Sequence, residues 1–235
     1  MRDKSSHPLV AWLNRKHPLP ERFYNDTIVD VIDGTWNCWV AIEERQPLHL
    51  ADRIEWSGLE ESRQRTAAYL KEASEIISGL EGGWLDSEES LMVREAIGEP
   101  PPPCLPIYFI GTQDKDESAN VAYIGITRTN NRFSGGHKAA LHLHAPEYQN
   151  HVKYIYQASV WFYDDKQYLP LEWLLPSNVA NTILESIESQ LIYDLRPPMN
   201  ERKKEKDCAT IPLEIHVENF AGDGLAKDHF VYPER

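Results

Sequence analysis

The chain is 235 residues long and acidic, with 24 Lys and Arg against 37 Asp and Glu and a formal net charge of −13. That balance excludes a protein whose whole surface coats nucleic acid, because phosphate contacts need a broad basic face; a local basic patch remains compatible with it. With 41% hydrophobic residues, 7 Trp and 11 Tyr, the composition also excludes a disordered chain.

The opening "MRDKSSHPLVAWLN" has no apolar run of signal-peptide length, and no later segment reaches the roughly 18 apolar residues of a membrane helix. Cys38, Cys104 and Cys208 are an odd number at wide spacing, which suits reduced thiols. A cytoplasmic location is expected on both grounds. "TIVDVIDGTWNCWVAIE" reads as two strand-like runs around the hairpin signal Asp33-Gly34. "SGLEESRQRTAAYLKEASEIISGLEGG" reads as a helix, with Ser57 and Glu60 as a capping box and Gly82-Gly83 as its stop. Residues 1–98 are therefore expected to form a small α+β or mostly helical region serving substrate choice, assembly or regulation, with a protein partner or a second copy as its possible contact.

The four prolines in "GEPPPP" remove backbone donors and stiffen the chain, so residues 99–103 read as a linker. After them "CLPIYFIG" and "VAYIGIT" are short strands joined by the polar "TQDKDESAN" as a hairpin. "NNRFSGGHKAALHLHAPEYQNHV" is helical in its middle, starting near Gly135 or Gly136 and ending at Pro146. "KYIYQASVWFYDD" is a third strand, and "PSNVANTILESIESQLIYDLRPP" an amphipathic helix capped by Ser177 and stopped by Pro197-Pro198. The expected order ββαβα occupies residues 104–200, and residues 201–235 form a C-terminal extension in which "ERKKEKD" is a solvated loop of mixed charge whose lysines follow Asn200 closely enough to touch nucleic acid.

On the last helix Leu184, Leu191 and Leu195 share a face, and Glu188 falls among them. A buried unpaired carboxylate costs several kcal/mol, so Glu188 either needs a metal, a cation or a proton, or lies at the stripe's edge and reaches water. Tyr108 and Tyr123, taken singly, read more readily as strand residues with half-buried rings than as site residues. His137, His142, His144 and His151 cluster in sequence, but the first three do not share one helical face, which argues against a three-histidine metal site.

The pair "PIYFIG" and "YIG", an Arg and a His opening the next helix, and "ESQLIYDLRPPMN" together resemble the GIY-YIG nuclease superfamily over residues 105–200. The resemblance implies a small three-stranded antiparallel sheet flanked by helices, and hydrolysis of phosphodiesters by an endonuclease, on DNA rather than RNA. Position by position it implies Tyr108 and Tyr123 as the motif tyrosines, Arg132 as the helix-opening arginine and His137 as the helix histidine. Glu188 becomes the metal-binding carboxylate and Asn200 the closing asparagine. Pro106 departs from the first motif glycine, and the Arg132 to His137 spacing is five where the family has four.

These residue types suit that chemistry. A hard carboxylate fits Mg²⁺ or Mn²⁺, an arginine fork fits phosphate oxygens, and a tyrosine with cationic or hydrogen-bonding neighbours can orient or deprotonate water. Arg128, Lys138 and Lys153 would supply the basic strip for nucleic acid that the acidic whole lacks. From another class, the alternative is a catalytically silent module on the same fold, contacting a protein or nucleic-acid partner through its acidic first part.

Overall fold

A computed structural model describes residues 7–20, 23, 36–77, 79, 83–114, 118–128, 133, 136–164, 167–174 and 177–232. The expected hairpin turn at Asp33-Gly34, its first strand and the expected stop at Gly82 lie outside these residues.

In chain order the elements are α1 (Pro8–Leu13), β1 (Trp36–Pro47), α2 (Leu59–Ile76), α3 (Ser87–Ile97), β2 (Ile107–Gln113) and β3 (Asn120–Ile126). There follow α4 (Lys138–His142), β4 (Val152–Asp164), β5 (Gln167–Pro170), α5 (Ser177–Leu195), β6 (Leu213–Asn219) and β7 (His229–Val231). Short 3₁₀ turns precede α2 and α5 and follow α4. Among the described residues no helix is long and apolar enough to cross a membrane.

The sheet corrects the expectation of a small three-stranded one. It has seven strands in the order β3-β2-β4-β1-β6-β7, with β5 paired to β4, and it is curled and mixed. The three antiparallel strands β3, β2 and β4 do lie side by side, but β4 is also paired with β1, and β1 runs parallel to β6 from Trp36↔Leu213 to Ile42↔Asn219. The physical reason is burial on both faces. Cys38, Val40 and Ile42 of β1 alternate onto the same core face as Leu213, Ile215 and Val217 of β6. An isolated three-stranded sheet would expose the free flank of β4, whose Ala158 and Val160 are buried in that core.

Helix α5 closes one face of the sheet, packing Ile183, Leu184, Ile187 and Leu191 on Ile107, Phe109, Ile124 and Val160. Each fully buried aliphatic side chain there contributes roughly 1.5–3 kcal/mol of transfer free energy. On the opposite face Tyr108, Ile110 and Ile155 meet Trp56, Phe133 and Leu143. A third cluster joins α1, α2 and α3 through Trp12, Leu13, Tyr69, Leu70 and Val93, reaching Trp173.

The cap of α2 differs from expectation. The N-cap of α2 is Gly58 with no side-chain hydrogen bond, in place of Ser57. A side chain at position 58 would come within 2.6 Å of the Arg128 carbonyl oxygen, so the close approach of the β3 end selects glycine over a capping residue. The capping box of this region belongs to α3, where Asp86 accepts from the Glu89 amide at 2.8 Å and Glu89 accepts from the Asp86 amide at 2.8 Å. Helix α4 is shorter than expected, spanning five residues with His137 at its N-cap.

Candidate functional site

Strands β2 and β3 pair with Tyr108 opposite Gly125, so the first motif's tyrosine lies across the second motif's glycine. The Tyr108 ring is wholly buried, and its hydroxyl makes a hydrogen bond of 2.9 Å with His137 Nε2. His137 is packed on two sides: Phe133 stacks on its ring at 4.8 Å, and Tyr123 meets it edge-on at 5.1 Å. Trp56 stacks in turn on Phe133 at 5.3 Å and meets Tyr108 at 5.5 Å. The imidazole therefore has little rotational freedom, and its wall includes a residue from before the prolines.

A cleft of about 440 Å³ opens in front of this cluster. Tyr123 and His137 form one wall, Glu188 and Ile192 of α5 another, and Asn200 and Lys203 a third. Tyr108 stands behind His137, out of contact with solvent. Glu188 is half-buried, with its side chain 15% exposed, and accepts from the Lys203 ammonium at 2.6 Å. The stripe on α5 thus does carry a carboxylate turned inward from solvent and answered by a cation. Lys138 and Arg202 also line the cleft; Lys138 pairs with Glu201.

Asn200 has a different employment. Its side-chain amide donates to the Ile124 carbonyl at 2.9 Å, and its carbonyl accepts from the Ile124 amide at 2.9 Å. The Met199 amide donates to the Ala122 carbonyl at 3.0 Å. Since β3 is an edge strand, these bonds occupy its open backbone and fix the following segment, which brings Lys203 to Glu188.

Of the residues singled out from the sequence, Tyr108, Tyr123, His137, Glu188 and Asn200 come together around this cleft, although they are spread over residues 108–200. Lys138 joins them at its edge. Arg128 is exposed and pairs with Glu185, one turn before Glu188. Lys153 lies apart, in a second cleft beyond α4. Arg132 is outside the described residues. Trp56 and Phe133 were missed. Lys203 lies in the mixed-charge run whose lysines the sequence brings near Asn200, but its pairing with Glu188 was not foreseen; its backbone is left-handed, at φ 68°.

Among the described residues no group of three or more His, Cys, Asp or Glu side chains is arranged to hold a metal. A site for Mg²⁺ does not require one, because that ion is commonly held by one or two carboxylates, water and substrate phosphate. Comparison with protein-family models, with curated proteins and with solved structures finds no match to this chain.

Proposed function

We propose that this chain is a divalent-metal-dependent endonuclease of the GIY-YIG type, hydrolysing phosphodiester bonds in nucleic acid, DNA in preference to RNA. The observation that carries the reading is the half-buried Glu188 carboxylate facing Tyr123 and His137 across one cleft, with Lys138, Arg202 and Lys203 around it. Three cationic side chains against the carboxylates of Glu188 and Glu201 make a locally basic hollow in an acidic protein, which suits a phosphodiester.

Glu188 fits a divalent ion because it already holds a cation, the Lys203 ammonium at 2.6 Å, in a partly desolvated place. Bound there, Mg²⁺ or Mn²⁺ would supply Lewis acidity for a phosphate oxygen and charge neutralisation for the leaving oxygen. The chain's own groups do the rest. His137 Nε2 and the Tyr108 hydroxyl share one proton across 2.9 Å, so the pair can take up or release a proton at the cleft wall while the phenol stays buried. Tyr123, half-buried beside His137, has its hydroxyl available to orient water or a phosphate oxygen. Lys203, once displaced from Glu188, is positioned to pair with the phosphate. Arg132 has the phosphate fork as its proposed task.

The test is purified protein on supercoiled plasmid with Mg²⁺. Nicking is expected for the wild type, with loss of at least a hundredfold in Glu188→Ala. Undiminished nicking by the variant would remove Glu188 from the metal site. A second reading, a silent binding module, is favoured by one observation: the Lys203 ammonium fills the place a metal would take. It predicts DNA binding without metal-dependent nicking by the wild type.

A further inference from the structure

At the β7 end of the sheet, the face turned away from α5 carries a run of aromatic rings. Cys38 and Val40 of β1, Ile215 and Val217 of β6 and Val231 of β7 belong to the core beneath α5. Alternation therefore sends their neighbours to the opposite face. The register aligns those neighbours in two rows across three strands: Trp39, His216 and Phe230 in one, and Asn37, Glu214 and Tyr232, just past β7, in the other. The two rows line a hollow of about 180 Å³.

Phe230 stacks on His216 at 4.1 Å with the ring planes 9° apart, and Tyr232 lies nearly parallel to Phe230 at 6.5 Å. Tyr168 of β5 holds Trp39 from the other side, edge-on at 5.2 Å. Phe230 is 51% exposed and Tyr232 68%, so neighbouring rings are offered to water where burial would stabilise the domain.

The chemistry of the hollow narrows its occupant. Its described lining includes Glu214 and neither lysine nor arginine, and Glu214 makes no ion pair among the described residues. A ring face is the negative side of an aromatic quadrupole, so rings and carboxylate both favour a cation. A nucleotide would bring its phosphate against Glu214 in a chain of net charge −13. A second copy docked about a two-fold axis would set two patches of like charge together. The volume is below the roughly 300 Å³ at which small-ligand pockets begin, and it matches one long side chain. Of the two long basic side chains, arginine stacks flat on rings and grips a carboxylate with two N–H groups at once, which an ammonium cannot do.

We propose that this face of β1, β6 and β7 docks a partner protein through an arginine of a basic segment, its guanidinium over Phe230 and Tyr232 and paired to Glu214. The hollow shares no residue with the Glu188 cleft, which lies at the β3 end of the strand order, so the proposal stands apart from the nuclease reading.

Fluorescence anisotropy of the full chain at physiological ionic strength tests it, with a labelled glycine-arginine repeat peptide and its glycine-lysine counterpart of equal length. The wild type is expected to bind the arginine peptide about threefold more tightly than the lysine one. Phe230→Ala, Tyr232→Ala and Glu214→Gln should each weaken arginine-peptide binding about threefold, and Phe230→Ala combined with Glu214→Gln about tenfold. Phe230 and Tyr232 are more than half exposed, so their truncation leaves the core intact. Glu95→Gln removes the same charge from the exposed side of α3 and should leave binding unchanged. The proposal is overturned if the wild type does not bind the arginine peptide. It is equally overturned by equal losses in Glu214→Gln and Glu95→Gln with none in the ring variants, which mark general electrostatics. Oligothymidylate binding that Phe230→Ala abolishes would assign the rings to bases and remove the arginine. A dimer in sedimentation velocity that Phe230→Ala dissolves would assign the face to a second copy, with the same consequence.

Discussion

Gly125 lies directly opposite Tyr108, and a methyl group at position 125 would fall 2.5 Å from the Tyr108 hydroxyl oxygen and 2.8 Å from Tyr123 Cε1. The glycine is there for space. Both rings that border His137 are set by that absence of a side chain, so the second motif positions the tyrosine of the first.

Gly125→Ala is therefore expected to force the wholly buried Tyr108 ring aside, at a cost of about 1–3 kcal/mol as for other overpacked cores. Tyr108→Phe, which keeps the ring and removes the hydroxyl bonded to His137, should cost about 1 kcal/mol. Urea midpoints at constant m-value check both, and the ordering matters: a Gly125→Ala variant as stable as the wild type would mean the rings yield easily and the glycine has no packing role.

How much of this was legible in the sequence depends on whether the signal was local. β2, β3 and β4 announced themselves by β-branched and aromatic runs, and α2 and α5 by apolar spacing near 3.6, because each pattern lies within one element. The parallel pairing of β1 with β6 joins residues 177 apart in sequence, and no local pattern specifies a partner at that range. A part of it was readable all the same: Leu213, Ile215 and Val217 alternate with Glu214, His216 and Glu218, the mark of a half-buried strand. In the site, Glu188 was visible because a carboxylate interrupts an apolar stripe. Trp56 and Phe133 were not, since loop aromatics carry no periodicity, yet their stacking fixes the His137 ring. The Ser57 cap failed for a tertiary reason, the Arg128 carbonyl against Gly58.

Glu172 offers a test away from the cleft. It sits buried in the turn before α5, accepting from the Cys104 amide at 2.8 Å and from the Ser62 hydroxyl at 3.4 Å, and so ties α2 and the end of the proline segment to the sheet. Burial pushes its carboxyl from an ordinary 4.5 up to about 7, against the opposing pull of those hydrogen bonds. An acid raised in the folded state binds its proton more tightly there than in the unfolded chain. Its favourable share of stability is complete below pH 4.5 and is lost as pH rises through about 7, on the order of 3 kcal/mol in all. Glu172→Gln cannot titrate. The difference in unfolding free energy between variant and wild type should therefore shift in the variant's favour between pH 4.5 and 8, and a difference independent of pH would show that the carboxyl is not held protonated.

Lys203 gives the sharpest test of where a cation sits. The residue has a left-handed backbone, which an alanine finds as costly as a lysine does, so Lys203→Ala alters charge with little change in backbone strain. It leaves the Glu188 carboxylate, 15% exposed, without the ammonium that lies 2.6 Å away. The loss expected without metal is about 1 kcal/mol, modest because the lysine itself is partly solvated. Millimolar Mg²⁺ should then raise the melting temperature of Lys203→Ala more than that of the wild type, since the ion no longer competes with the ammonium for Glu188. In the double variant with Glu188→Gln the Mg²⁺ response should vanish, a readout that needs no assay of cleavage. An equal Mg²⁺ response in all three proteins would mean that the ion binds elsewhere and that the Lys203–Glu188 pair is simply a structural tie between α5 and the segment anchored by Asn200.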